Sequence, residues 1–206
     1  MALWGATDAD EAKPKYLTTA QKKEVFATAS GWEVEAGSAM TGNDNTSAQR
    51  EVLVAIGDLA TAIGAATITQ IEWVLPAAAA SGATTVDKSD GFTLSCRVRW
   101  NEAVTVDTSG GTPFLAVTNG NEGASSGRGP HELAYASGTG TNELIFTLAI
   151  PAANAATNED DTLTIGANAI DLNSGTIKDS TDSVTSEITN SSAIGSAAGG
   201  VITVVA

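Results

Sequence analysis

The nine residues "FTLSCRVRW" constrain this chain more than any other stretch. Phe92, Leu94, Cys96, Val98 and Trp100 alternate with Thr93, Ser95, Arg97 and Arg99. A period of two sends apolar groups to one face and polar groups to the other, the pattern of a β-strand with one buried and one wet face; a helix cannot use it. Cys96 falls on the apolar side, where a free thiol acts as a small buried hydrophobe rather than a nucleophile. It is the only cysteine, so no intrachain disulfide forms and the fold rests on its core.

Further strands follow the same logic. In "ATITQIEWVLP" Pro76 closes a strand, and "AAAASGATT" reads as a linker-like loop. "TPFLAVTNG" reads as a strand ending at an Asn119-Gly120 turn. "ELAYASGTGTNELIFTLAI" reads as a hairpin whose returning strand puts Leu144, Phe146, Leu148 and Ile150 inward. "TLTIGANAIDLNSGTIKD" carries two more strands, and "VITVV" closes the chain. Hydrophobic residues make up 42% but aromatics only 5%, which suits a thin aliphatic core between sheets. Seven or more short strands with no credible helix predict an all-β chain folded as a β-sandwich.

The 206 residues allow two domains, and we place the boundary between residues 1–65 and 66–206. Residues 1 to about 20 are polar, with Leu3, Trp4, Tyr16 and Leu17 as their large apolar groups. Such a segment buries too little to order itself. These four residues, together with Trp32, are therefore expected to bury against another chain. "AQKKEVFATASGWEV" fits either a short helix capped by Thr18 or Thr19 or a strand, and a strand from Val25 to Thr28 continuing near Trp32 is preferred. In "REVLVAIGDL", Val52, Val54 and Ile56 share one face and Leu53 and Ala55 the other, which predicts a central or covered strand. The first domain is thus expected to be a small, mostly β or extended attachment region.

The net charge is −14. Residues 1–65 hold nine acids and five bases (−4), leaving fifteen acids and five bases (−10) for 66–206. An acidic field of this size argues against nucleic acid or an anionic membrane surface as partner. "MALWGATDADEAKPKYL" has three acids by position 11 and lacks the basic and apolar regions of a secretory signal, so synthesis in the cytoplasm without a signal peptide is expected. "LATAIGAATI" is too short and polar to span a bilayer.

The chemistry-bearing residues are few. His131 is the sole histidine; it excludes a multi-histidine zinc site and reads as a surface or turn residue. The run Asn158, Glu159, Asp160, Asp161 concentrates oxygen donors before a strand, and Asp171 and Asn173 could complete a calcium site with it. The expectation is no cofactor, with calcium at this pair of segments as the alternative. Arg128 in "SSGRGP" marks a long hairpin loop. No phosphate-cradling Gly-Lys motif, heptad repeat or aromatic-lined carboxylate pair occurs, so a non-enzyme is expected.

Two resemblances join these readings. "FTLSCRVRWNEAVTVDTSGGTPFLAV" and "ELAYASGTGTNELIFTLAIPAANAATNEDDTLTIGANAIDLNSGTIKDS" resemble the bacterial Ig-like repeats of large adhesins over roughly residues 66 to 190. The resemblance implies an Ig-like sandwich used as a spacer, adhesive or surface module, with no catalytic residues. "MALWG", "KPKYL" and "REVLVAIGDLA" are similar to the N-terminal region of small structural proteins of tailed bacteriophages infecting marine bacteria. Together they imply a virion protein, a capsid decoration (cement) protein on the outer head surface. Its partners would be the major capsid protein, copies of itself, or both. The alternative is a module binding a host-surface glycan, or a protein of the tail or neck.

Overall fold

The computed structural model describes residues 12–77, 84–121, 131–152, 157–194 and 200–206. Its centre is β6 (Phe92–Asp107), the alternating strand that the sequence announces, extended to sixteen residues. On one side β6 pairs antiparallel with β4 (Ile68–Leu75) and, beyond it, with β11 (Thr176–Asp179). On the other it pairs with β9 (Thr141–Ile150), which continues to β8 (His131–Ser137). β8 also pairs with β7 (Phe114–Asn121), and β10 (Asp161–Asp171), β12 (Ile202–Val205) and β5 (Thr84–Asp87) follow in that order. The first part of the sandwich thus serves both layers: β4 joins the β6-β9 sheet, whereas β5 runs parallel to β12. The twelve strands form one continuous mixed sheet folded into an all-β, sandwich-like architecture, in which β8 links β9 to β7.

One aliphatic core fills the space between the layers. Leu94, Cys96, Val98 and Trp100 of β6 meet Leu115 and Val117, Leu133, Leu144 and Phe146, Leu163 and Ile165, and Ile202 and Val204. Each buried Leu, Ile or Val contributes about 1.5–3 kcal/mol, so the alternation accounts for the fold with few aromatics. Phe146 meets Tyr135 edge-on, with centroids 6.0 Å apart. Burial pushes the Cys96 thiol well above its ordinary pKa, which keeps it protonated and unreactive.

A smaller unit precedes the sandwich. α1 (Thr19–Glu24) starts with a reciprocal capping box between Thr18 and Gln21. β1 (Phe26–Thr28) and β2 (Gly31–Val34) form a hairpin, and β3 (Glu51–Ala55) pairs antiparallel with β2. Both α1 and the strand after it are present, because the capping box ends where the β-branched Val25 turns the chain to extended geometry. Gly31 has φ 132°, and a Cβ there would lie 2.1 Å from the Val54 carbonyl, so only glycine lets β3 pass. α2 (Leu59–Ala62) closes the unit. Its core comprises Leu17, Val25, Ala27, Trp32, Ile56, Leu59 and Ala60.

Three strand expectations are corrected. β7 runs through Asn119 and Gly120 instead of turning there, because Gly120 pairs with Thr162 of β10 and the ladder continues. β3 is not central: it ends the strand path, and Val52 is 48% exposed. The outward face of β6 is only partly wet: Thr93 is exposed and Arg97 half-buried, whereas Ser95 is buried and Arg99 is buried beneath the head. Most of the "AAAASGATT" loop lies outside the described residues.

Candidate interaction surface of the head

The head is fastened to the sandwich at the middle of β6. The β6-β9 register jumps from Arg99/Glu143 to Val104/Thr141, so β6 bulges away from β9 and there takes β1 as a parallel partner through Ala27 and Glu102. Beside the bulge, the outward face of β6 carries an ion network. Arg97 reaches Glu72 through its Nε at 2.8 Å and Glu143 at 3.5 Å, while Arg99 bonds Gln70 at 2.7 Å and Glu72 at 3.1 Å and pairs with Glu143. The head segment Val34–Ser38 and Glu24 close over Arg97, Arg99 and Glu143, leaving a cleft of about 220 Å³. Burial raises the pKa of Glu35, which Arg50 opposes and Glu143 reinforces.

Arg50 makes the second fastening. Its Nε pairs with Glu35 at 3.2 Å, its guanidinium lies 5.3 Å from the Phe26 ring centre, and its Nη2 reaches the Gly140 carbonyl at 3.4 Å. Gly140 sits in the β8-β9 turn, so one side chain ties the end of the head's sheet to the sandwich. With the head held on one side, its opposite edge is left open. β3 has no strand beyond it among the described residues, and Val52 lines a groove of about 580 Å³ with Ser30, Glu33, Glu35, Ala48, Gln49 and Arg50. An exposed apolar edge strand offers unpaired N–H and C=O groups to another chain.

The residues expected at a partner interface separate. Tyr16 is 68% exposed and available. Leu17 and Trp32 are not: both are buried in the head's own core, and Lys13 lies over the Trp32 ring at 5.9 Å. Trp32 turns inward because it pairs with Val54 across β2-β3 and so faces the cluster closed by α2. Burial lowers the pKa of Lys13 to about 8, and its Nζ donates to the Lys22 carbonyl at 2.5 Å. Leu3 and Trp4 lie outside the described residues, as does Arg128.

The two oxygen-rich segments do not meet. Asp161 opens β10 and Asp171 ends it. Their β7 partners, Asn121 and Phe114, lie seven residues apart across the bulge of β10, which puts the two acids about 23 Å apart. Asp161 is buried and structural: its Oδ2 accepts from the Asn158 N–H at 2.7 Å and from Asn119 Nδ2 at 3.0 Å. Glu159 and Asp160 are exposed, and Asp171 accepts from the N–H of Asn173 at 2.7 Å in a turn whose Asn173 amide donates to the Thr112 carbonyl. His131 is buried rather than superficial. Its Nε2 lies 3.1 Å from the Thr157 hydroxyl, and burial lowers its pKa against the opposing field of Asp161.

One polar group escaped the sequence reading. Glu102 falls in phase with Trp100 and Val104 and is fully buried with Asp179 beside it. Continuing the alternation past Trp100 would have shown an acid on the core face. Comparison with protein-family models, curated proteins and solved structures finds no match to the chain. No helix among the described residues is long and apolar enough to cross a membrane.

Proposed function

We propose that this chain is a non-enzymatic structural protein of a tailed-phage particle, a decoration protein that binds the outer capsid surface through its head and presents the Ig-like sandwich outward. The observation that carries the reading is the open edge of β3, with Val52 exposed on a unit whose own core is already closed. A strand from the major capsid protein, or from a second copy of this chain, would extend the head's sheet there. Arg50 and the β1-β6 pairing would then pass load from the edge to the sandwich. Many copies bridging neighbouring shell subunits would add stability through multivalency. The acidic sandwich would keep particles apart.

The glycan-binding alternative wants exposed aromatic platforms. Trp32, Trp73 and Trp100 are all buried, so none of them offers one. Imaging of particles carrying and lacking the chain tests the proposal. Regular density on the shell that disappears in its absence supports a decoration protein. Density at the tail alone, or particles without the chain, overturns it.

A further inference from the structure

Two buried carboxyls meet at the bulge of β6, where the head is fastened. Glu102 and Val104 lie two residues apart on the inward face of β6, and Asp179 stands opposite Val104 across the β6-β11 ladder. The Ser180 N–H donates to the Ala103 carbonyl and carries that pairing past Asp179. Glu102 and Asp179 are therefore diagonal neighbours on one face, within reach of a glutamate side chain. Glu102 is fully buried, Asp179 is 1% exposed, and the two carboxyls hydrogen-bond each other. Asp179 is anchored besides, since its Oδ1 accepts from the Thr181 N–H at 2.6 Å. Among the described residues no other donor reaches either oxygen of Glu102 or the Oδ2 of Asp179. The charges that act on Glu102 are those of Asp179 and Asp182, both acidic. β1 has no ionisable side chain in Phe26–Thr28. Arg97, Arg99, Glu72 and Glu143 engage one another on the outward face of β6, with Glu24 of α1 lining the cleft above them, and Lys178 of β11 is exposed.

Two carboxylates in buried contact repel each other if both are ionised, and each lacks the donor that a buried oxygen needs. One proton between them removes the repulsion and supplies the donor. Glu102 is the group that carries it: burial first, then the hydrogen bond and charge of Asp179 and the charge of Asp182, raise its pKa from the ordinary 4.5 to about 9. The position of the pair gives that proton a consequence. Glu102 is the residue through which β6 pairs with Ala27 of β1, the one register pair between them, whereas β11 is held to β6 by a ladder from Thr176 to Asp179. Charge repulsion at this point therefore strains the β1 attachment before it strains β11. We propose that the shared proton is an alkaline-sensitive latch, which keeps the head docked on β6 while Glu102 carries it and lets β1 part from β6 as it is lost. The latch is independent of what the open edge of β3 binds. Because the undocked or unfolded chain releases this proton near 4.5, the stability tied to protonated Glu102 is fully present below that value. It is lost progressively as pH rises from there through about 9.

Two readouts on the full chain test this. The infrared spectrum at pH 7 should contain a protonated-carboxyl C=O stretch, apart from the carboxylate band, that Glu102→Gln removes. Hydrogen exchange, expressed as protection relative to the intrinsic rate at each pH, should show β1 and β2 losing protection about tenfold per pH unit between pH 6 and 8. Glu102→Gln, whose amide donates to Asp179 at any pH, should lose far less. At pH 10 the head strands should exchange while β9 and β10 stay protected. Absence of a carboxyl band that depends on Glu102 would overturn the shared proton. An equal loss of protection in wild type and Glu102→Gln, or exchange of β9 and β10 together with the head, would overturn the latch. If Glu102→Gln fails to fold, Asp179→Asn takes its place: an amide there removes the like charge and donates to an ionised Glu102, so the loss per pH unit should shrink, and an undiminished loss would overturn the proposal.

Discussion

Trp32 holds the head together from within: it is 2% exposed and packs in the head's own cluster, separate from the sandwich core. Trp32→Ala should cost about 3–5 kcal/mol, as expected for a large buried side chain. The loss should be confined to the head, because its cluster is separate from that of the sandwich. Hydrogen exchange checks this: amides of β1, β2 and β3 should lose protection while those of β9 and β10 keep theirs, and equal loss everywhere would refute the separation. His131 gives a pH-dependent counterpart in the sandwich. Its folded pKa lies below the ordinary 6.5, so the unfolded chain takes up the proton first as pH falls. The stability tied to neutral His131 is therefore fully present above about 6.5 and is lost as pH falls from there through the lowered folded value. Urea midpoints at pH 7.5 and 5.0 should fall further for the wild type than for His131→Gln, and identical falls would contradict the assignment.

At the scale of elements, irregularities in the strands decide where polar side chains go. β10 breaks register with β7 between Ile165 and Ile170, and Asn190 repairs the break. Its Oδ1 accepts from the Ala169 N–H at 3.0 Å and its Nδ2 donates to the Gly166 carbonyl at 3.0 Å. Asn190→Ala leaves both backbone groups unpaired and should destabilise the chain by about 1–3 kcal/mol, read from urea unfolding; a change within error would mean that water replaces the amide. Such repairs explain what the sequence could and could not disclose. The alternation of β6 and the inward set of β9 were legible because periodicity alone places Leu94, Cys96, Val98, Leu144 and Phe146 in the core. Leu17 and Trp32 were misread as interface residues because nothing local tells an anchor for a partner from one for a neighbouring strand. Arg97 and Arg99 look wet on a strand in isolation, whereas Gln70, Glu72 and Glu143 of the flanking strands pair with them and the head closes over them. The acids of β10 and the turn after it are close in sequence, yet the length of the strand between them keeps them apart.

For the whole molecule, the two cores have different standing. Among the described residues the sandwich core draws only on those from Ala66 onward, so residues 66–206 should melt in one cooperative transition, monitored by circular dichroism; a broad, noncooperative melt would mean that the β1-β6 pairing is needed to hold the sandwich. The head core is small and leans on β6 through the β1-β6 pairing, as the proposed attachment role requires. The central claim is that the open edge of β3 joins this chain to a particle. Val52→Asp tests it most directly, since Val52 is exposed and a charge there should block strand pairing without disturbing either core. The measurement is the number of copies of this chain per major shell protein on purified particles, by quantitative mass spectrometry, with the variant's melting curve as the check on folding. The account predicts a normal melt and almost no copies on the particle. A normal melt with wild-type occupancy would contradict it.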